Sequence, residues 1–185
     1  MYFLILILGL ALWVGAHFFK RVAPARRAAM GDSAKGAVAL AIVAGVVLMV
    51  IGYRGSEFIS VWEPPSYLRH VNNLMVLIAI YMMSPAPKKG RLLHGMRHPM
   101  LTGFALWAAG HLLVNGDLTA IITFGGLLIW ALAEMAIINK AEGSWQPEGE
   151  PGPITKDAIF FGASVVLLAA IGWIHGWLGY PPFGG

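Results

Sequence analysis

The sequence predicts an all-α integral membrane protein, a bundle of six transmembrane helices that forms a single domain over residues 1–185. Of the 185 residues, 58% are hydrophobic and only 12% are charged, which is too apolar a composition for a soluble domain. The hydrophobic residues are gathered into six stretches, each of about the length needed to cross the core of a bilayer. The lipid bilayer is therefore the first partner that we expect.

The six stretches show no internal repeat. The first has no basic segment before it and is followed at once by Lys20 and Arg21, which indicates an anchored span rather than a cleaved signal peptide. The third and fourth are shorter than the usual ~20 residues. The Gly-, Pro- and Glu-rich segment from Glu142 to Pro153 predicts a flexible linker. The predicted spans are Tyr2–Phe19, Lys35–Tyr53, Tyr67–Met83, Pro99–Val114, Leu118–Ile138 and Lys156–Leu178.

The basic residues predict the orientation of the chain. Eleven of the 13 Lys and Arg residues lie in the first, third and fifth connections between spans, and only Arg54 and Arg69 lie elsewhere. Cytoplasmic connections carry an excess of Lys and Arg, so both termini are predicted on the non-cytoplasmic side of a bacterial inner membrane. A membrane topology also accounts for the net charge of +4. Without a patch of interleaved basic and aromatic residues, we expect no nucleic acid partner.

The segment from His94 to Asp117 carries the most distinctive polar residues. Arg97-His98-Pro99 opens its apolar span, and proline suits the first turn of a helix. The residue before a proline is disfavoured in helical geometry, so His98 is predicted at the mouth of the helix. There the helix dipole disfavours imidazolium, which leaves a lone pair for a ligand. The alternative is an interfacial histidine that faces lipid headgroups.

The predicted topology sorts the histidines into two layers. His98 and His111 stand thirteen residues apart, about 20 Å along a helix axis, whereas two axial nitrogens on one iron lie about 4 Å apart. His17 and His98 lie at matching depth on different helices, so these two can share one metal. The inner layer is His17, His94 and His98, and the outer layer is His70, His111 and His175.

Other interpretations compete with metal binding at His111 and at the pair His94 and His98. Asn115 and Asp117 follow His111 by about one turn, which predicts that they satisfy its ring nitrogens. His94 and His98 have the spacing of a helical zinc pair, but a proline after His98 opposes a helix through both.

Other polar residues of the inner side are candidates for the surroundings of a cofactor. Cysteine is absent, so any metal or haem must be held by His, Met, carboxylate or Tyr. Arg97, Lys20 and Arg21 are predicted at a height suited to the carboxylates of a bound porphyrin, although most such residues face lipid phosphates. Glu134 is expected to be protonated, or paired with Arg97 or an inner histidine. Its alternative is a carboxylate that extends to the interface.

These residues resemble the signature of the NnrU membrane proteins over nearly the whole chain. The most specific block runs from Arg97 to Asp117, with Arg97-His98-Pro99-Met100-Leu101, Leu106-Trp107 and His111-Leu112-Leu113-Val114-Asn115-Gly116-Asp117. Gly15-Ala16-His17 and Trp62-Glu63-Pro64-Pro65 with Leu68-Arg69-His70 also fit. The family name comes from a link to nitrogen-oxide metabolism in denitrifying bacteria. The same domain occurs in zeta-carotene isomerase, a membrane haem b protein that isomerises a cis double bond of a polyene.

The resemblance implies a haem b whose iron is held by one histidine of the first helix and one of the Arg-His-Pro motif. These fall on His17 and His98, the pair that the depth argument allows. The resemblance also implies a redox-gated haem enzyme that acts on a lipophilic substrate, as in cis–trans isomerisation of a polyene. The alternative that it implies is a factor in nitrogen-oxide metabolism. Reduction of the iron would loosen one axial histidine, so an electron donor is also implied. Arg97 and Glu134 are the candidates for tuning the site.

Two other functions fit parts of the sequence. In a haem electron-transfer or nitric oxide-sensing module both axial ligands stay fixed, and the outer histidines hold a second haem or a quinone. S-adenosylmethionine-dependent membrane methyltransferases also carry an Arg-His-Pro motif, and Asn115-Gly116 and Glu134 resemble their hairpin layout. However, no Gly-x-x-Tyr-x-x-Tyr element follows Glu134, and His17 has no evident task in methyl transfer.

Overall fold

The computed structural model describes residues 1–184, and their regular secondary structure is helical, as the sequence predicts. An isolated antiparallel bridge joins Ser60 to Asp117. The helices of the described chain are α1 (Tyr2–Val22), α2 (Pro24–Ala29), α3 (Ser33–Gly55), α4 (Leu68–Met83), α5 (Ala86–Lys89), α6 (Pro99–Val114), α7 (Leu118–Glu142) and α8 (Ile154–Trp177).

Four of these helices, α1, α3, α7 and α8, are long and apolar enough to cross a membrane. Helices α4 and α6 are apolar but have only 16 residues each. At a rise of 1.5 Å per residue they measure about 24 Å, against about 30 Å for the hydrocarbon core. The protein is thus a helical membrane protein with four candidate spans, and the six-span topology stays a prediction.

Each predicted span coincides with one helix; the bounds of α6 are the predicted ones, whereas the other helices differ from their spans at one or both ends. Helix α1 continues through Lys20 and Arg21 to Val22, and α7 continues past Ile138 to Glu142. Because Lys, Arg and Glu are good helix formers, the helix does not stop where hydrophobicity stops. The first connection is also partly helical, since Pro24 stands at the first position of α2, where its missing N–H costs nothing.

The linker that precedes α8 is more restrained than its composition predicts. Residues 144–153 form no helix, but the backbone N–H of Gly152 donates to the carbonyl oxygen of Gly90 at 2.9 Å. A Cβ atom at Gly152 would collide with the carbonyl of Lys89. Close backbone packing therefore holds this end of the linker, a contact that its composition does not predict.

The helices form two compact units. The first consists of Met1–Glu63 and Asn115–Gly143 and contains α1, α2, α3 and α7. Here α1 packs along α3, and α7 packs against both. Glycines allow α1 and α3 to approach closely, since a Cβ atom on Gly52 would lie 2.5 Å from the backbone nitrogen of Leu6. Small residues at such an interface let helix backbones make extensive van der Waals contact.

The second unit consists of Pro64–Val114 and the segment from Ser144 onward, and contains α4, α5, α6 and α8. Helix α4 packs against α6 and α8. Gly103 of α6 lies against the α4 backbone, because a Cβ there would meet the Ala79 carbonyl oxygen at 2.9 Å. The C-terminal segment folds back on the unit: Asn73 Nδ2 donates to the Pro182 carbonyl oxygen at 2.9 Å, and the Phe183 ring occupies the space beside Gly172.

The replacement Gly52→Ala tests the close packing of α1 on α3. The added methyl group meets backbone atoms of Leu6, which cannot move as a flexible side chain would, so we expect a loss of about 1–3 kcal/mol of stability. Thermal unfolding in detergent measures it as a lower Tm. Gly15→Ala is the matched control, because no atom lies within 4 Å of its Cβ position and alanine is the better helix former. Equal Tm values for the two variants would contradict the packing described here.

Candidate functional site

A cluster of polar and aromatic side chains lies between α1 and α7 in the first unit. Trp13, His17 and Arg21 follow one another at intervals of four residues on α1, and Trp130 and Glu134 do the same on α7. Residues four apart share one face of a helix, so each helix contributes a single stripe. We call these five residues the His17 cluster.

The imidazole of His17 is held in one orientation by this cluster. Its ring lies beside the rings of Trp13 and Trp130, with centroid distances of 4.3 and 4.6 Å. Nδ1 bonds the backbone carbonyl oxygen of Trp13 at 2.8 Å. A carbonyl only accepts, so Nδ1 carries the proton and donates it, and in the neutral ring the lone pair is on Nε2. This is the arrangement by which a metal-ligating histidine is commonly fixed.

Glu134 is buried in the same cluster and is paired with Arg21. The residue is 5% exposed, and its Oε1 accepts from Nη1 of Arg21 at 3.0 Å. The second guanidinium nitrogen, Nη2, donates to Glu142 at 3.2 Å. A buried carboxylate needs such a partner, because removal from water costs several kcal/mol. This burial favours a paired carboxylate over one that extends to the interface. The partner is Arg21, whereas the sequence predicted Arg97 or an inner histidine.

The second carboxylate oxygen of Glu134 takes no part in the pair with Arg21. Oε2 is buried and has no hydrogen-bond partner among the described residues. The carboxylate interacts electrostatically with both Arg21 and His17. A buried acceptor without a donor is costly, so this atom indicates a place where a proton or a polar group of a ligand is stabilised.

The three basic residues predicted to contact porphyrin carboxylates have different surroundings. Both terminal nitrogens of Arg21 already donate to carboxylates of the protein, so Arg21 is less suited to this role than the sequence suggests. Lys20 is exposed on α1, and Arg97 is half-buried in the second unit. For Lys20 and Arg97 the role stays a prediction.

His98 occupies the mouth of α6 in the second unit, as the proline after it predicts. The helix begins at Pro99, and the carbonyl oxygen of His98 accepts the N–H of Thr102 at 2.9 Å. His98 is thus the flanking residue of the helix, with a half-buried side chain. The helical zinc pair of His94 and His98 is absent because His94 lies in a turn.

Asp157 is a polar residue near the Arg-His-Pro segment that sequence reasoning missed. It lies in the first turns of α8 and is 3% exposed. Its carboxylate accepts from the backbone N–H groups of Arg91 and Leu92 and from the hydroxyl of Tyr81. The sequence shows only a single aspartate at the start of an apolar span, and nothing in that pattern indicates its partners.

The outer histidines differ among themselves. His111 and His175 repeat the arrangement of His17, with Nδ1 donating at 2.9 Å to the carbonyl oxygens of Trp107 and Ile171 respectively. His70 is exposed. Asp117 caps α7, because its Oδ1 accepts from the N–H of Ala120 at 2.9 Å. A short acidic side chain before a helix satisfies free N–H groups of the first turn.

The side chains present favour one kind of metal site over another. Within residues 1–184, no group of three or more His, Cys, Asp or Glu side chains could hold a metal ion. A bis-histidine haem needs only two protein nitrogens, because the porphyrin supplies the other ligands. The fixed Nδ1–H of His17 and the buried carboxylate beside it are compatible with an axial ligand of that type.

Comparison with known proteins and protein families identifies the family of the chain. No curated protein and no solved structure matches the chain. The sequence model described as NnrU protein matches residues 5–182, which is nearly the whole chain. The chain therefore belongs to the NnrU family.

Proposed function

We propose that this NnrU protein binds haem b through His17 and His98 and uses it to act on a lipophilic substrate. The observation that carries the proposal is the imidazole of His17, whose Nδ1 donates to the Trp13 carbonyl oxygen, so that the lone pair of the neutral ring is on Nε2. An imidazole held this way loses little freedom when it binds iron. Family membership supports the same assignment, because the resemblance to haem b proteins falls on this residue.

His98 supports the proposal from the second unit. It is the last residue before α6, and its backbone is fixed by the bond from Thr102. A ligand at the end of a rigid helix is held more firmly than one within a long loop. The outer histidines His111 and His175 share the Nδ1 arrangement of His17, but they lie at the far end of their helices from His98.

The chain's own side chains determine how a bound haem behaves. When bound, the haem supplies an iron that changes oxidation state and accepts a ligand. Trp13 and Trp130 fix the plane of the His17 ring and exclude water from it. Glu134 places negative charge beside that ring, and Arg21 holds the carboxylate in position. A nearby negative charge favours the more positive, oxidised state of the iron.

The membrane surroundings of the protein support a lipophilic substrate. Large apolar side chains are exposed along the candidate spans, for example Leu8, Val47 and Val166, so the protein presents lipid-compatible surfaces on several helices. A substrate that dissolves in the bilayer can reach such a protein laterally. The resemblance to zeta-carotene isomerase implies cis–trans isomerisation of a polyene, which we propose as the reaction class, with a separate electron donor. A role in nitrogen-oxide metabolism is the alternative within the same family.

The variants His17→Ala and His98→Ala test the axial ligands. Each removes one of two iron ligands, so we expect the haem content of purified protein to fall at least about tenfold, or the remaining haem to become five-coordinate. Absorption spectra of the oxidised and dithionite-reduced protein, with a pyridine haemochrome titration, measure both. His70→Ala is the matched control, because His70 is exposed and belongs to the other predicted layer.

Three results would contradict parts of this proposal. A colourless wild-type protein removes the haem, and if that protein binds S-adenosylmethionine it favours the methyltransferase. Unchanged spectra for both histidine variants remove the ligand assignment. Carbon monoxide that fails to bind the reduced protein indicates two fixed ligands, as in an electron-transfer module.

The variant Glu134→Gln tests the buried charge beside His17. Loss of the negative charge should raise the midpoint potential of the haem, because the oxidised iron loses a stabilising anion. Arg21 keeps Glu142 as its partner, so the guanidinium is not left unpaired. Redox titration followed by absorption measures the shift. Glu142→Gln, at a side chain that is 54% exposed, is the control and should shift the potential less; equal shifts would contradict the role of Glu134.

The orientation that we propose has six spans with both termini outside the cytoplasm of a bacterial inner membrane. The chain contains no cysteine, so single cysteines report accessibility without background. The variants Asp32→Cys and Glu148→Cys should react with a membrane-impermeant maleimide only after the membrane is opened, whereas Glu57→Cys should react in intact spheroplasts. All three residues are exposed. The reverse labelling pattern would overturn this orientation.

A further inference from the structure

Asp157 makes contacts that its position in the sequence does not explain. It is the fourth residue of α8, where an acidic side chain ordinarily interacts with the start of its own helix. It also reaches a different segment of the chain, and it is 3% exposed. Its Oδ2 accepts from Arg91 N at 2.7 Å, and its Oδ1 accepts from the Tyr81 hydroxyl at 2.5 Å and from Leu92 N at 3.3 Å.

These contacts hold the beginning of the connection between α5 and α6. Gly90 lies directly against the carboxylate, so that a Cβ atom there would collide with it. The carbonyl oxygen of Gly90 accepts the N–H of Gly152 from the other side. Two segments of the second unit, both close to the start of α8, therefore clamp the backbone at residue 90.

The same connection leads by a short series of turns to the Arg-His-Pro segment. The N–H of His94 donates to the carbonyl oxygen of Arg91 at 3.3 Å, and the N–H of Met96 donates to that of Leu93 at 3.0 Å. Two residues later His98 begins the contacts of α6 through its bond from Thr102. The backbone that carries His98 is thus fixed by α6 on one side and by Asp157 on the other.

We propose that Asp157 is a positioning residue that sets the place of His98 by anchoring residues 90–92. An anionic carboxylate suits this task because it accepts several hydrogen bonds at once, and bonds to a charged acceptor are stronger than neutral ones. The part of the proposal that concerns iron depends on the proposed function. The anchoring itself does not.

The variant Asp157→Asn tests the anchoring in protein prepared without haem. The amide group has nearly the same size but puts an N–H donor where one of the three donors now finds an acceptor. Limited trypsin digestion reports opening of the connection, since Lys89, Arg91 and Arg97 are cleavage sites within it. Modification by diethyl pyrocarbonate, followed by mass spectrometry, reports the accessibility of His98. We expect both rates to rise roughly tenfold, as for the loss of one strong hydrogen bond.

Two further variants keep the result interpretable. Asp32→Asn is the matched control, because it removes the charge of an exposed aspartate and should change neither rate. Tyr81→Phe removes only the hydroxyl donor and should cause a smaller increase in both rates. It also tests the anchoring if Asp157→Asn does not fold. Rates equal to those of the wild type in both Asp157→Asn and Tyr81→Phe would overturn the proposal.

Protein loaded with haem then tests the consequence for His98. We expect Asp157→Asn to shift the absorption spectrum toward that of His98→Ala, with a larger five-coordinate fraction. A wild-type spectrum together with faster cleavage would show that the anchor does not position His98, and would overturn the proposal. If the wild type holds no haem, the proposed function fails, while the digestion and modification rates still decide whether Asp157 anchors the connection.

Discussion

Buried carboxylates are the constraint on which the polar parts of this membrane protein depend. In an apolar chain, an acidic side chain that leaves water must find donors inside the protein. Glu134 finds the guanidinium of Arg21, and Asp157 finds a hydroxyl and two backbone N–H groups. Each carboxylate thereby ties a helix to a second segment: α7 to α1 in the first unit, and α8 to the connection before α6 in the second.

The two proposals use these carboxylates in different ways. Glu134 acts through charge, because one oxygen lies buried without a partner and the group interacts with His17. Asp157 acts through geometry, because both of its oxygens accept hydrogen bonds that hold the backbone of Arg91 and Leu92 and the hydroxyl of Tyr81 in place. Loss of the Glu134 charge should therefore change the midpoint potential of a bound haem, whereas loss of the Asp157 contacts should change the accessibility of the connection before α6.

Sequence patterns predicted the elements better than the contacts between them. Proline chemistry placed the start of α6 after His98, and hydrophobic runs located every long helix. The pairing of Arg21 with Glu134 could not be predicted, because it joins residues 113 positions apart and depends on the rotation of α1 against α7. Asp157 was missed for a similar reason: two of its partners are backbone N–H groups, which no residue type indicates, and the third is the hydroxyl of Tyr81, 76 positions away.

The short length of α4 and α6 has a consequence for the lipid around the second unit. In the predicted six-span topology, helices of about 24 Å cross a hydrocarbon layer of about 30 Å, and this mismatch is relieved by local thinning of the bilayer or by flanking side chains that extend to the interface. Each ångström of mismatch costs a fraction of a kcal/mol. Short-chain phospholipids should therefore gather around this half of the protein, and thick, sterol-rich membranes should accommodate it poorly.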